Sequence, residues 1–247
     1  MSAPVATAPS WVAATLAIAR KELRVFFVGP MAYVFLAAFL FLGGLFFYLG
    51  IVLTGEASLR AMLSNLAVVL LFCVPMVTMR QLAEEGRAGT LELLLTAPVA
   101  PSSLILGKWL ATLSLCGVLL ALTGVFPAIL YVYGSPDTGA LATSYLGLFL
   151  VCASFGAAGL FTSSLSRDPM VAGVGGVMLL LPFWLASSAV DLAPDLAVPV
   201  LERLSFLEHL RSFAKGVVDT GDLAWFAAFI AVFLFLTWRS LESRRWR

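Results

Sequence analysis

The residues with the greatest chemical potential lie between the second and third apolar runs of the sequence. Glu84 and Glu85 are adjacent, Arg87 follows two positions later, and Glu92 completes the charged group. Paired carboxylates can exchange protons with a substrate or help to bind a metal ion. The sequence contains one histidine, His209. Metal chemistry that depends on a histidine cluster within this chain is therefore excluded.

No nucleotide-binding loop is recognisable in the sequence. The nearest run, 102–109, contains Gly-Lys but lacks the first glycine and the final Ser or Thr of a phosphate-binding loop. Cys73, Cys116 and Cys152 lie within apolar runs, where we interpret them as small packing residues. We therefore predict no catalytic, cofactor-binding or metal-binding residue in the chain, and ATP hydrolysis would require a separate subunit.

The composition indicates that most of the surface faces lipid. Of the 247 residues, 61% are hydrophobic and 12% are charged, whereas soluble domains usually carry about 25% charged residues. Six apolar runs are long enough to cross a hydrocarbon core of about 30 Å. We place them at 31–53, 60–79, 104–133, 141–165, 170–190 and 222–238. The sequence therefore predicts an all-α, polytopic fold, with residues 1–247 forming one transmembrane domain.

Residues 10–28 have the pattern of an amphipathic helix before the first run. Apolar residues recur at helical spacings, at Val12, Leu16, Ala19, Leu23 and Phe26. Arg20, Lys21 and Arg24 share a different arc of the same helix. A basic amphipathic helix beside a transmembrane segment is typical of one lying in the membrane interface. A frayed N-terminal extension is the alternative.

Lys and Arg are unevenly distributed between the segments that join the runs. If the N-terminus is cytoplasmic, the inside segments carry Arg20, Lys21, Arg24, Arg80, Arg87, Lys108, Arg167, Arg239, Arg244, Arg245 and Arg247. The outside segments then carry Arg60, Arg203, Arg211 and Lys215. Because positive residues are enriched on the cytoplasmic side, we expect both termini to be cytoplasmic.

Small residues are dense in the fourth and fifth runs. They are Gly156, Ala157, Ala158, Gly159, Gly173, Gly175 and Gly176. In lipid, close backbone approach through small residues drives much of the pairing between helices. We therefore expect these two runs to pack tightly within the bundle.

The segment 191–221 is the main external element under this orientation. Residues 201–218 can form one amphipathic helix, with apolar Leu204, Leu207, Leu210 and Phe213 on one side. We expect this helix to rest on the outer surface or to cap the spans. His209 is interpreted as a solvated residue of this helix.

The segment 80–101 is predicted to be a cytoplasmic coupling loop. It begins as a polar continuation of the second run, and Gly89 then allows the chain to turn. Thr90 can cap a short helix, with Glu92 favourably placed in its first turn. A short helix held between two transmembrane helices can dock in a groove of a soluble partner and transmit motion.

This loop also carries a resemblance to a known family. Residues 84–98 read E-E-x-R-x-G-T-x-E-L-L-L-T-x-P, which is similar to the signature of ABC-2-type permeases, especially the gliding-motility (GldF-like) branch. Other matching pieces are Arg20-Lys21-Glu22-Leu23 before Gly29-Pro30, Leu106-Gly107-Lys108, and the run 213–219 before the last span. The resemblance extends over nearly the whole chain.

The resemblance implies a six-helix subunit of an export complex in a bacterial inner membrane. It would pair with a second permease subunit and bind two ABC ATP-binding subunits, which would hold ATP and magnesium. Contact with these subunits would involve Glu84, Glu85, Arg87, Gly89, Thr90, Glu92 and Leu93. The apolar spans favour a lipidic, hydrophobic or extended polymeric substrate over a small ion, and nothing in the sequence indicates nucleic acid as a partner.

Three other functions remain open at this point. The pair Glu84-Glu85 resembles part of the motif of CAAX-type membrane proteases, but the spacing to Arg87 differs and His209 is predicted on the opposite side. An ion-coupled carrier or channel usually has ionisable residues inside its spans, and these runs are nearly free of them. A membrane anchor that recruits an ATPase without transporting anything has no distinguishing sequence feature.

Overall fold

The computed structural model describes residues 10–54, 59–91, 100–133, 137–190, 194 and 198–245. All regular secondary structure in these ranges is helical. In chain order the helices are α1 (Trp11–Val28), α2 (Pro30–Thr54), α3 (Arg60–Arg87), α4 (Pro101–Thr123), α5 (Val125–Tyr133), α6 (Thr138–Leu165), α7 (Pro169–Ala189), α8 (Val198–Leu204), α9 (Phe206–Ala214) and α10 (Thr220–Arg245).

Six stretches of the described residues are long and apolar enough to cross a membrane. They are Ala32–Val52, Arg60–Arg87, Pro101–Val132, Thr138–Leu165, Pro169–Ala189 and Thr220–Ser243. The prediction of an all-α, multi-pass membrane protein is confirmed. The last helix, Thr220–Arg245, is longer at both ends than the predicted run 222–238.

The third run, predicted as one span over 104–133, consists of two helices. α4 ends at Thr123, Gly124 forms a turn, and α5 begins at Val125. Pro127 has no N–H to donate to the carbonyl of Thr123, and its ring crowds that carbonyl. The helix is therefore interrupted before Pro127, although both halves remain apolar.

α6 is the central helix of the bundle. Of its most apolar stretch, 78% is buried, against 11% for that of α2. α6 packs against α3, α7, α4, α9 and α10. A Cβ at Gly159 would collide with the Thr78 side chain and lie 3.4 Å from Pro75 Cα. The small residue thus permits close contact between α6 and α3, which is the role expected of small residues in lipid.

The segment that we predict to be external folds as two helices rather than as the single helix predicted over 201–218. Ser205 separates α8 from α9, and its hydroxyl accepts hydrogen bonds from the N–H groups of Leu207 and Glu208. This N-cap starts a new helix and lets Phe206 turn inward, where it is fully buried. α9 is fixed to α6 by the Thr143 hydroxyl, which donates to the Phe213 carbonyl at 2.7 Å.

Candidate coupling site

α1 lies close against α4 because α4 presents a glycine to it. A Cβ added at Gly107 would approach Cβ of Ile18 to 2.8 Å and the carbonyl oxygen of Thr15 to 2.9 Å. Contacts this short do not occur between real side chains and backbone, so a larger residue would displace α1. The start of α1 is also tied to α4, since Trp11 Nε1 donates to Ser102 Oγ at 3.1 Å.

The close contact brings together one charged residue from each of three helices. They are Glu22 of α1, Glu85 of α3 and Lys108 of α4. Lys108 Nζ lies 2.9 Å from Glu22 Oε1 of α1 and 2.8 Å from Glu85 Oε1 of α3. It also donates to the carbonyl of Gln81 at 2.7 Å. The Lys108 side chain is buried, and all three ammonium hydrogens have an acceptor. We call Lys108, Glu22, Glu85 and Gln81 the Lys108 cluster.

Gln81 strengthens the same junction from the opposite direction. Its side-chain Nε2 donates to the carbonyl of Lys108 at 3.2 Å and to Thr112 Oγ1 at 3.0 Å. Since a carbonyl oxygen only accepts, the amide nitrogen must be the atom that faces Lys108. α3 and α4 are therefore joined by reciprocal bonds between side chain and backbone at one level of the bundle.

The energy of such a cluster depends on all of its members. A buried ion pair contributes little net stability, since both ions lose their hydration. Removing one partner leaves a buried charge without compensation, which costs about 3–5 kcal/mol. The Lys108 cluster therefore fixes the relative positions of α1, α3 and α4 without necessarily making the fold more stable than an apolar contact would. The chemistry that it offers is electrostatic and positional.

The two adjacent glutamates of the predicted coupling loop have different surroundings. Glu85 enters the Lys108 cluster, whereas Glu84 is exposed and pairs with Arg80 at 3.2 Å, one helical turn away on α3. Lys21 is exposed on α1, and its Nζ lies 3.5 Å from carboxylate oxygens of both Glu22 and Glu85. Among the described residues, only the second glutamate of the pair thus bonds to helices other than α3.

The residues that follow α3 turn away from the helix at Gly89. Gly89 has a φ of +72°, in the left-handed region that glycine adopts without strain. Arg87 and Thr90 are exposed. The Thr90 hydroxyl donates to the carbonyl of Glu85 at 3.4 Å and is thus tied to the end of α3. Its role as the cap of a following helix stays a prediction, because the residues that it would cap lie outside the described ranges.

Leu91 is the last described residue before the gap in the coupling loop. It is buried in a small apolar cluster with Leu82, Leu104, Ile105, Leu160 and Leu241. These residues come from α3, α4, α6 and α10. The remaining predicted contact residues, Glu92 and Leu93, lie outside the described residues, as does most of the helix predicted there.

The predicted basic arc of the N-terminal helix is exposed. Arg20, Lys21 and Arg24 all face outward from α1. Of the predicted apolar stripe, Val12 and Leu16 are also exposed, while Ala19 is buried. The outward apolar residues leave α1 with a face suited to lipid beside its basic arc.

Sequence reasoning missed three members of the Lys108 cluster as site residues. Lys108 was assigned to the segment that opens the third span, and Glu22 and Gln81 were given no individual role. Two signals could have identified them. Lys108 lies inside an apolar run, where an unpaired cation is costly, and Glu22 is the one acidic residue among the basic residues of 10–28.

A second polar contact lies at the opposite end of the bundle. His209 of α9 lies 2.6 Å from Asp222 Oδ1 through Nδ1 and 3.1 Å from the carbonyl of Arg203 through Nε2. Its ring stacks on Trp225 with centroids 4.4 Å apart. The interpretation of His209 as a solvated residue is wrong, because α9 turns its ring toward α10.

Comparison with known proteins places the chain in a family. A model of ABC-2 family transporter proteins matches residues 75–240, which begin within α3 and end within α10 and amount to more than half of the sequence. No curated protein matches the chain. The matched part contains Gln81, Glu85 and Lys108 together with five of the six apolar stretches in whole or in part. The chain therefore belongs to the ABC-2 family of transporter proteins and is a permease component of an ABC transporter.

Proposed function

We propose that this chain is the permease subunit of an ATP-driven exporter of the gliding-motility (GldF-like) branch. Membership of the ABC-2 family implies association with an ABC ATPase and with the membrane. In the proposed complex, two permease subunits and two ATP-binding subunits assemble, and ATP and magnesium are held by the ATP-binding subunits. The motif at 84–98 is the surface that would contact them.

The observation that carries this proposal is the position of the Lys108 cluster at the base of the coupling loop. Glu85 is four residues from Gly89, where the chain leaves α3. Any displacement of the loop by an ATP-binding subunit would act on Glu85 and through Lys108 on α1 and α4. Coupling would therefore consist of movement of three helices at a shared ionic contact.

The proposed orientation places the α1 end of the bundle in the cytoplasm. Among the described side chains, the basic residues at this end are Arg20, Lys21, Arg24, Arg80, Arg87, Lys108, Arg167 and Arg239. The opposite end, with α8 and α9, carries four of the described basic side chains, which are Arg60, Arg203, Arg211 and Lys215. The distribution follows the enrichment of positive residues on the cytoplasmic side. The membrane would be the inner membrane of a bacterium, with both termini cytoplasmic.

The proposed substrate is lipidic, hydrophobic or an extended polymer. The stretches that cross the membrane are apolar over most of their length. Charged residues of the described ranges are concentrated toward the two ends of the bundle, in the Lys108 cluster and around His209. A transport pathway lined by these apolar stretches would suit a substrate that needs few ionic contacts.

The adjacent glutamates provide a matched test of this function. The protein is purified in mild detergent from its native host, the bound ATPase is identified by mass spectrometry, and the complex is reconstituted. Glu85→Gln should lower the coupling of ATP hydrolysis to transport about tenfold, the effect of one charge-assisted hydrogen bond of roughly 1.5 kcal/mol. Glu84→Gln leaves the Lys108 cluster intact and removes only an exposed ion pair of the proposed contact surface, so it should lower coupling less than Glu85→Gln does.

The outcomes separate the proposed function from its alternatives. Equal coupling in the two variants would remove the Lys108 cluster from the mechanism. Absence of a co-purified ATPase, with solute or ion movement by the permease alone, would identify a carrier or channel. An ATPase that binds without any transport would identify a membrane anchor.

A further inference from the structure

A groove between α1, α2 and α3 opens beside the Lys108 cluster. It has a volume of about 390 Å³. Its apolar lining includes Val25, Phe26, Phe35, Met76, Val77 and Leu115. Its polar end is formed by Lys21, Arg80, Gln81, Glu84 and Glu85. From Met76 to Glu84 along α3 the lining extends about 12 Å at 1.5 Å per residue, so the groove is polar at one end and apolar at the other.

Two buried oxygen atoms at the polar end lack a hydrogen-bond donor among the described residues. They are Gln81 Oε1 and Glu85 Oε2. The Gln81 side chain is 4% exposed, and its amide nitrogen is already committed to Lys108 and Thr112. Buried acceptors without donors are costly. The polar end therefore favours a ligand that brings N–H donors.

Two cations at the same end can bind an anionic group. Arg80 is about half exposed and makes a single ion pair with the exposed Glu84. Lys21 is 58% exposed in its side chain, and its distances of 3.5 Å to Glu22 and Glu85 are long for ion-pair hydrogen bonds. Both side chains are available to a phosphate group at the mouth of the groove.

The charges of the groove and the Lys108 cluster balance. Lys21, Arg80 and Lys108 are the cations, and Glu22, Glu84 and Glu85 are the carboxylates. An electrically balanced site with separate acceptors and cations is complementary to a zwitterion. An anionic headgroup would bring no positive charge to the carboxylates at this end.

We propose that this groove binds a phospholipid whose headgroup carries a primary ammonium, such as phosphatidylethanolamine. The ammonium donates to Gln81 Oε1 and Glu85 Oε2 once these buried oxygens turn toward the groove, and the phosphate lies against Lys21 and Arg80. One acyl chain follows the apolar lining between α2 and α3. The bound lipid belongs to the leaflet at the α1 end and joins α2, which is little buried elsewhere, to the Lys108 cluster.

Lipid binding to the delipidated full-length protein tests this site. Phosphatidylethanolamine and phosphatidylcholine with identical acyl chains are titrated in detergent, and bound lipid is counted by native mass spectrometry. Phosphatidylcholine has a quaternary ammonium without N–H donors. We expect phosphatidylethanolamine to bind at least about tenfold more tightly, because phosphatidylcholine can make neither of the two hydrogen bonds and the loss of one charge-assisted bond alone lowers affinity about tenfold.

A matched pair of methionine substitutions localises the binding. Met76→Trp fills the groove from α3, and we expect it to abolish the preference for phosphatidylethanolamine over phosphatidylcholine. Met178→Trp is the control, because Met178 lies on α7 with 62% exposure, close to the 57% of Met76, and does not line the groove. Loss of the preference in the Met76 variant alone would support the site.

Three results would overturn the proposal. Equal retention of the two lipids by the unmodified protein would indicate ordinary annular lipid. Equal or tighter binding of phosphatidylglycerol, which has hydroxyl groups but no ammonium, would show that the ammonium is not what the site recognises. An unchanged preference in Met76→Trp would place the lipid elsewhere. The test requires no ATPase, so its failure is distinct from failure of the proposed transport function.

Discussion

The two ends of the helical bundle are held together by different forces. At the α1 end, Lys108 joins residues that are 86 and 23 positions away in the chain, through ionic hydrogen bonds. At the opposite end, His209 bonds to Asp222 only 13 positions away. There Phe206 packs edge to face against Phe155, Trp225 and Phe229. One end depends on directed charges and the other on aromatic packing.

This difference indicates where the molecule can change shape. Ionic hydrogen bonds require particular distances and angles, so a small shift of one helix can exchange or break them. Interlocked aromatic rings lose many contacts at once when they separate, and a packed core therefore resists small displacements. We expect the α1 end to rearrange during function while the α9 end remains a rigid cap.

The largest effect is expected from removing the buried cation. Lys108→Met should lower the free energy of unfolding by about 3–5 kcal/mol, because Glu22 and Glu85 would lose their buried partner and keep only the exposed Lys21 at 3.5 Å. Thermal unfolding of the purified protein in detergent measures the loss. Lys21→Met, which removes an exposed cation beside the same carboxylates, should change stability by less than about 1 kcal/mol. Equal losses of stability in the two variants would show that the contribution of each lysine does not depend on its burial.

A loss of similar size is expected at the aromatic end. Phe206→Ala should cost about 3–5 kcal/mol, since it removes a fully buried ring at the centre of the cluster. Phe235→Ala is the control, because Phe235 is 57% exposed on the lipid side of α10. Unfolding measurements on both variants compare the sites. If Phe206→Ala unfolds like the unmodified protein, the rigid cap is not held by its aromatic core.

The close contact of α1 with α4 can be tested on one helix. Gly107→Ala should lower stability by about 1–3 kcal/mol and weaken the Lys108 cluster, because the added methyl would displace α1. Gly117→Ala, also on α4, has no atom within 4 Å of the added Cβ and should be neutral or stabilising by up to about 1 kcal/mol. The unfolding temperatures of the two variants in detergent test whether α1 contacts α4 closely at Gly107. Stabilisation by both would contradict the close approach at Gly107.

The smallest effect is expected at the His209 contact. His209→Phe retains a ring that can stack on Trp225 but loses both hydrogen bonds, so we expect a cost of about 1–2 kcal/mol. Limited proteolysis around α8 and α9, with unfolding as a second measurement, would detect the loosened segment. His209→Ala removes the stacking as well and should cost more. A variant with phenylalanine that is as unstable as the alanine variant would assign the contact to hydrogen bonding alone.

Some features followed directly from the sequence. The six spans could be identified because hydropathy and length are local properties, and lipid imposes them on each helix separately. The turn at Gly89 and the position of the charged segment after the second span also follow from local residue types. The interruption at Gly124 could have been inferred from Pro127, whose missing N–H is a property of that residue alone.

The sequence could not distinguish between residues of the same type in neighbouring positions. Glu84 and Glu85 are equivalent by composition, and only the rotation of α3 places one in the Lys108 cluster and the other beside Arg80. Likewise, the surroundings of His209 could not be predicted from the sequence, because they depend on Ser205, which separates α8 from α9 and lets α9 turn toward α10. Rotation about a helix axis is fixed by packing against several other helices at once.

The sequence by itself thus determined that this chain crosses a membrane as helices and carries the ABC-2 signature between its second and third spans. Only the tertiary structure decided that Lys108, Glu22, Glu85 and Gln81 meet beside a groove with unpaired acceptors. The physical reason is the range of the interactions. Burial of a helix in lipid depends on its own residues, whereas a buried ion needs partners that distant segments of the chain supply.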